Sequence, residues 1–117
     1  MKSHVYAYVA EHALDKLSPE YLKGLKEALR KDIITILGKE SKKVDKLVDL
    51  IWEKAKDRKS GIPSSFVILN VLRMLPALLK HIEKGDVVKA RAVNMYCNAA
   101  FGTPYIVNDL IEIIYGK

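Results

Sequence analysis

Helix start and stop signals recur along the whole chain, and they constrain its fold more than any other feature. Ser18-Pro19 and Thr103-Pro104 each place a capping residue before a proline, which is favoured at the first helical position. Gly38, Gly85 and Gly102 stand where runs of apolar periodicity end, as glycine commonly does after a helix. The signals divide the chain into six segments joined by very short connections.

Apolar residues within the segments recur at helical spacing, as in Leu22, Leu25 and Leu29 of the second segment. The predicted helices run from Ser3 to about Leu17, Ser18 to Gly38, Lys39 to Lys59, Ser64 to Lys84, Asp86 to Phe101, and onward from Thr103-Pro104. Strand is the alternative for the isoleucine-rich last segment, but its apolar residues pair at helical offsets. The sequence therefore predicts an all-α fold, a compact bundle of about six helices forming one domain over residues 1–117.

The composition excludes a disordered chain and favours a reducing compartment. Half of the 117 residues are apolar and 29% are charged, enough to fill a core. Cys97 is the single cysteine, so no intrachain disulfide can form. The N-terminal residues lack a signal-peptide pattern, and Asn70, Arg73 and Pro76 interrupt the longest apolar run. We expect a cytoplasmic protein with no membrane partner; abundant Lys and the absence of Gln are typical of thermophile proteins.

One basic segment has the pattern of an anion site. Cations precede a Gly/Ser turn that opens a helix, where free backbone N–H groups and the helix dipole favour negative charge. The candidate residues for binding an anion or nucleic acid are Lys54, Lys56, Arg58, Lys59, Ser60, Gly61, Ser64 and Ser65. The alternative interpretation is a basic turn that complements its own helix dipole, followed by an ordinary serine cap.

The last three segments carry more apolar surface than a small domain encloses easily. They are apolar nearly all round, whereas the first three are amphipathic, and helices apolar on every side are central or covered by another chain. The predicted interface residues are Leu72, Leu75, Leu79, Ile106, Leu110 and Ile113. The partner is a second copy of the chain or another protein.

Evidence for catalysis or metal binding is weak. His4, Glu11, His12 and Asp15 have metal-ligand chemistry, but their offsets do not form a compact site and no HExxH motif is present. Cys97 has no neighbouring cation in sequence to activate it as a nucleophile. We predict no catalytic residues, no metal and no cofactor, with a metal-dependent hydrolase at His4 and His12 as the weakest alternative.

Two functions compete. The first is a non-catalytic interaction subunit that oligomerises through its apolar C-terminal helices. The second is a nucleic-acid-associated subunit, favoured by 20 Lys and Arg against 14 Asp and Glu, a formal charge of +6. In size, basic charge and helical layout the chain resembles the small helical subunits of RNA-guided CRISPR interference complexes, a resemblance that implies binding to the phosphate backbone.

Overall fold

The structure is a computed structural model that describes residues 3–12, 14 and 18–116. These residues form six helices and no strand, which confirms the all-α prediction. The helices are α1 (His4–Glu11), α2 (Pro19–Leu37), α3 (Lys42–Lys54), α4 (Ser65–Glu83), α5 (Val87–Phe101) and α6 (Val107–Tyr115). The predicted end of the first helix near Leu17 lies outside the described residues.

The predicted capping signals at α2 and α5 are present as hydrogen bonds. The Ser18 hydroxyl accepts from the Tyr21 N–H at 3.0 Å, and the Asp86 carboxylate accepts from the Lys89 N–H at 3.1 Å. Gly38 and Gly102 follow α2 and α5 with φ of 82° and 71°, the left-handed conformation that glycine adopts without steric cost. These local signals fix where both helices begin and end.

The chain divides into two compact units, Met1–Leu69 and Asn70–Lys117, with the boundary inside α4. In the first unit α1 packs on α2 and α2 packs on α3. Its fully buried aliphatic residues include Val5, Leu25, Leu29, Ile33, Val44 and Leu47. In the second unit α5 contacts α6, and the buried residues include Leu75, Leu78, Ala90, Ile106, Val107 and Leu110. The single-domain interpretation stays a prediction.

The third helix is shorter than the sequence indicated. It ends at Lys54 because the chain then folds back: the Asp57 N–H donates to the Ile62 carbonyl at 3.0 Å and the Ser64 N–H donates to the Ala55 carbonyl at 2.8 Å. Bonds across the loop thus replace the bonds that would have continued the helix. The helix also begins late, at Lys42, and Ser41 stands at its N-cap without a side-chain capping bond.

The last helix also begins later than its cap-and-proline signal predicted. Thr103 does not cap it, because its buried hydroxyl points to the Met74 sulfur at 3.9 Å. The side chain of Asn94 instead binds the backbone on both sides of Tyr105. That clamp holds residues 103–106 outside the helix, so α6 starts at Val107.

Candidate interaction surface

The outward face of α5 is an exposed apolar stripe. We call Val88, Ala92, Met95 and Ala99 the α5 stripe; all four are exposed, Val88 by 78% and Met95 by 63%. Their spacings of four, three and four residues place them within about 60° of one another on a helix. Tyr96 is 68% exposed and flanks the stripe. A run of apolar residues at this spacing is the pattern by which helices pack on one another.

The other side of α5 is held by a polar contact. Asn94 is fully buried; its amide nitrogen donates to the Pro104 carbonyl at 3.0 Å, and its amide oxygen accepts from the Ile106 N–H at 2.8 Å. Ala90, on the same side, is also fully buried. Asn94 and Ala90 therefore fix which side of α5 faces the protein and leave the α5 stripe on the opposite side.

The predicted interface residues do not coincide with this surface. Leu75, Ile106 and Leu110 have no exposed fraction and Leu72 has 5%, so they present no surface to a partner in this fold. Leu79 and Ile113 are partly buried. The sequence indicated an apolar surplus in the C-terminal half. The exposed large apolar residues there include Val88, Met95, Tyr96 and Phe101 on α5, together with Phe66 on α4, Tyr105 before α6 and Tyr115 at the end of α6.

The predicted anion site is a loop whose backbone donors are paired internally. The Asp57 carboxylate accepts from the N–H groups of Lys59 and Ser60 at 3.1 and 2.9 Å, and the Asp57 carbonyl accepts from the Gly61 N–H at 2.8 Å. The hydrogen bond from the Ser60 N–H is the main cause that lowers the pKa of Asp57. An internal carboxylate thus uses two of the backbone donors that an external anion would need.

The remaining candidate residues in this segment are exposed cations and two serines at the start of α4. Lys54, Lys56, Arg58 and Lys59 are exposed, and the Lys56 ammonium lies 2.8 Å from the Glu53 carboxylate. Ser64 and Ser65 are partly buried; the Ser64 hydroxyl accepts from the Val67 N–H at 3.3 Å. This arrangement supports the alternative interpretation, a basic turn followed by a serine cap.

Acidic side chains on α3 and just before it pair with two basic residues of α2, Lys26 and Arg30. Arg30 donates to Glu40 at 2.6 Å and to Asp45 at 3.1 Å, and these hydrogen bonds raise the pKa of Arg30. Lys26 lies 3.4 Å from Asp49 and 5.7 Å from the centre of the Trp52 ring. The charges on this face are interleaved rather than arranged as a stripe of one sign.

The predicted histidines have different surroundings. His4 Nδ1 lies 3.0 Å from an Asp32 oxygen, whereas His12 Nε2 lies 3.9 Å from the Glu11 carboxylate. Asp15 lies outside the described residues. Within residues 3–12, 14 and 18–116, no group of three or more His, Cys, Asp and Glu side chains is arranged to hold a metal ion. The geometry offers no support for the hydrolase alternative.

Asp32 is a buried carboxylate that sequence reasoning missed. It is 1% exposed and accepts hydrogen bonds from the Ser3 hydroxyl at 2.8 Å, the His4 N–H at 2.7 Å and the Val5 N–H at 2.9 Å. It therefore binds the N-terminus of α1, where unpaired N–H groups and the helix dipole favour an anion. In the sequence, the one hint that Asp32 is buried was its neighbour Ile33 on the apolar face of α2. That hint was too weak to predict burial, because acidic residues commonly flank buried positions on a helix.

A shallow groove lies beside the start of α4. Tyr21, Ile62, Pro63, Ser64 and Phe66 are among its lining residues. The Tyr21 side chain is 4% exposed, and its hydroxyl has no hydrogen-bond partner among the described residues. Such a hydroxyl lowers stability unless something outside the described chain satisfies it.

Within the described residues, α4 is long and apolar enough to cross a membrane by length and composition. Core helices of soluble proteins pass the same test, and the side chains of Ile68, Leu75 and Leu78 on α4 are fully buried. The absence of a membrane partner stays a prediction.

No protein family, curated protein or solved structure shows a detectable match to the chain. Function is therefore argued from the surfaces themselves.

Proposed function

We propose that the protein is a non-catalytic helical subunit that associates with a second copy of itself through the α5 stripe. The observation that carries the proposal is that the contacts of Ala90 and Asn94 cover one side of α5, while the apolar residues of the α5 stripe on the opposite side are exposed. Apolar surface at helical spacing gains free energy when it is removed from water. Exposed apolar residues scattered singly need no explanation, but four in register on one helix do.

The contrast with α3 supports this choice. On α3 the buried residues are Val44, Leu47, Val48 and Ile51, and the exposed residues between them are charged. Helix α3 therefore has one buried apolar face and one solvent-exposed charged face. On α5 the exposed face is Val88, Ala92, Met95 and Ala99 instead. Because α3 has the amphipathic pattern of an ordinary surface helix, the exposed apolar residues of the α5 stripe need a separate explanation.

The nucleic-acid alternative has weaker support. Two backbone donors of the loop after α3 bind the Asp57 carboxylate, and the α2 cations Lys26 and Arg30 are paired with acids. What supports the alternative is the formal charge of +6 and the exposed cations of the loop.

Sedimentation of a matched pair of variants tests the proposal. Tyr96 and Tyr6 are both 68% exposed, so Tyr96→Lys and Tyr6→Lys make the same chemical change at equal exposure. We expect the parent and Tyr6→Lys to form dimers at about one hundred micromolar. Tyr96→Lys should weaken the dimer by tenfold or more, because it adds a positive charge at the edge of an apolar interface between two helices that already carry Lys89 and Arg91.

A parent protein that stays monomeric at several hundred micromolar would overturn the proposal, as would equal dimer weakening by both variants. Salt-sensitive retention on heparin, lost in a Lys56/Arg58/Lys59 triple alanine variant of a monomeric protein, would favour the nucleic-acid alternative instead.

A further inference from the structure

We infer that the two copies pair through antiparallel α5 helices, with each large residue of the α5 stripe facing a small one. This inference rests on the self-association proposed above and specifies its geometry. Two features of α5 determine the direction: the order of large and small residues along the stripe, and the distribution of charge between its two ends.

The order of side-chain sizes favours the antiparallel direction. Along the helix the stripe reads Val88, Ala92, Met95, Ala99, alternating larger and smaller. A two-fold axis passing between Ala92 and Met95 brings Val88 opposite the second copy's Ala99. It also brings Met95 opposite the second copy's Ala92. Large residues then fill the space that small residues leave, and the two backbones keep a nearly constant separation.

A parallel pair lacks this complementarity. In that arrangement each stripe residue meets its own copy, so methionine faces methionine and alanine faces alanine. The Ala92 and Ala99 layers would leave gaps while the Val88 and Met95 layers held the helices apart. Voids of that kind lose dispersion contacts and cost stability.

The charges on α5 favour the same direction. Lys89 and Arg91 lie near the N-terminus, the positive end of the helix dipole, where they outnumber the Asp86 carboxylate that lies 3.9 Å from the Lys89 ammonium, and the last turn carries no basic residue. A parallel pair would bring the two positive ends together. An antiparallel pair separates them and sets the cations near the partially negative end of the other helix. The flanking register also places Lys89 beside the second copy's Tyr96, where a cation–π contact is available.

The stripe is short, which limits the expected affinity. Four stripe residues and a flanking tyrosine cover less than the roughly 800 Å² per partner of a standard interface. We therefore expect a reversible dimer with a dissociation constant on the order of 10 micromolar rather than an obligate one.

Disulfide trapping between two single-cysteine variants tests the direction. Cys97, the one native cysteine, is first replaced in Cys97→Ala, and sedimentation establishes that this background still dimerises. Ala92→Cys and Met95→Cys are then made separately in it, one carrying an affinity tag, and mixed under mild oxidation. The antiparallel pairing predicts that the mixed disulfide between the two variants exceeds either homodimeric disulfide by at least fivefold, because these positions face each other across the axis.

A matched Tyr6→Cys variant in the same background gives the level of random crosslinking at an exposed site. Homodimeric disulfides that exceed the mixed product would overturn the antiparallel inference while leaving an α5 dimer in place. Crosslinking at the level of Tyr6→Cys in a protein that still sediments as a dimer would place the interface elsewhere, and would overturn both the antiparallel inference and the role proposed for the α5 stripe while leaving self-association in place. A monomeric parent would instead overturn the proposed function, so the failures are distinguishable.

Discussion

Asp32 and the α5 stripe are opposite departures from the rule that apolar residues are inside and polar residues outside. Asp32 is a carboxylate at 1% exposure, whereas Met95 and Val88 are apolar side chains at 63% and 78% exposure. The carboxylate is satisfied within the chain by the Ser3 hydroxyl and by the first N–H groups of α1. The stripe has no such partner among the described residues.

A buried polar group and an exposed apolar group need different kinds of partner, one within the protein and one outside it. A buried polar group costs several kcal/mol unless it is paired, so its partners must be internal and its role is structural. An exposed apolar residue costs the fold little, and what it gains on burial requires another molecule. Asp32 therefore explains how α1 is held on α2, and the α5 stripe is the surface at which we propose that a second copy binds.

Asp32→Ala is expected to give the largest loss of stability. It removes a charged acceptor of three or more hydrogen bonds and leaves two α1 N–H groups without their partner, which should lower the free energy of unfolding by about 3 kcal/mol. Urea denaturation measures this. Asp49→Asn, on an exposed carboxylate, is the control and should change the value by less than about 0.5 kcal/mol. A loss of similar size in both variants would mean that the buried Asp32 carboxylate contributes no more to stability than the exposed Asp49 carboxylate.

Asn94→Ala is the corresponding test on the inner side of α5. The variant loses both amide hydrogen bonds and leaves the N–H of fully buried Ile106 unpaired, so we expect a loss of about 2 kcal/mol. Asn98 is exposed and donates one bond, to the Thr103 carbonyl at 2.7 Å; Asn98→Ala should cost under about 1 kcal/mol. Equal losses would show that the clamp at Asn94 does not orient the helix.

Asp57→Asn should give the smallest effect, and its pH dependence sharpens the comparison between buried and exposed carboxylates. Asp57 also accepts backbone N–H groups, but it is exposed. Because its pKa is lowered in the folded protein, its contribution is present above the unfolded pKa and lost as pH falls through the folded pKa.

The parent should therefore melt slightly higher than Asp57→Asn at pH 7, and the two melting temperatures should converge as the pH falls below the lowered pKa of Asp57 in the folded protein. Thermal melts at constant ionic strength measure the difference. A gap that persists or widens in acid would contradict the assignment of the effect to the carboxylate charge.

Local signals were enough to predict most of the helices. Ser18 and Asp86 cap α2 and α5 as their positions in the sequence indicated, because a capping bond spans only three residues. Gly38 and Gly102 follow these helices for a similarly local reason. Prediction was wrong where a distant group competed, as at Thr103, whose hydroxyl is directed to Met74.

The exposed apolar residues of the α5 stripe are not the residues that the sequence indicated for an interface. An apolar surplus in the C-terminal half follows from composition and periodicity alone. The sequence does not show which residues are exposed, because the apolar pattern of α5 does not indicate which side of the helix is covered. For α5 the buried contacts of Ala90 and Asn94 decide the matter, and both depend on residues outside the helix.

The sequence by itself determined that the chain forms helices, where α2 and α5 begin and end, and that the later helices hold more apolar surface than the earlier ones. These properties arise from interactions within a few residues. Only the tertiary structure decided that Asp32 is inside and that the α5 stripe is outside. Each of these depends on which groups meet across the fold, since a polar or apolar side chain is stable or unstable only relative to its neighbours.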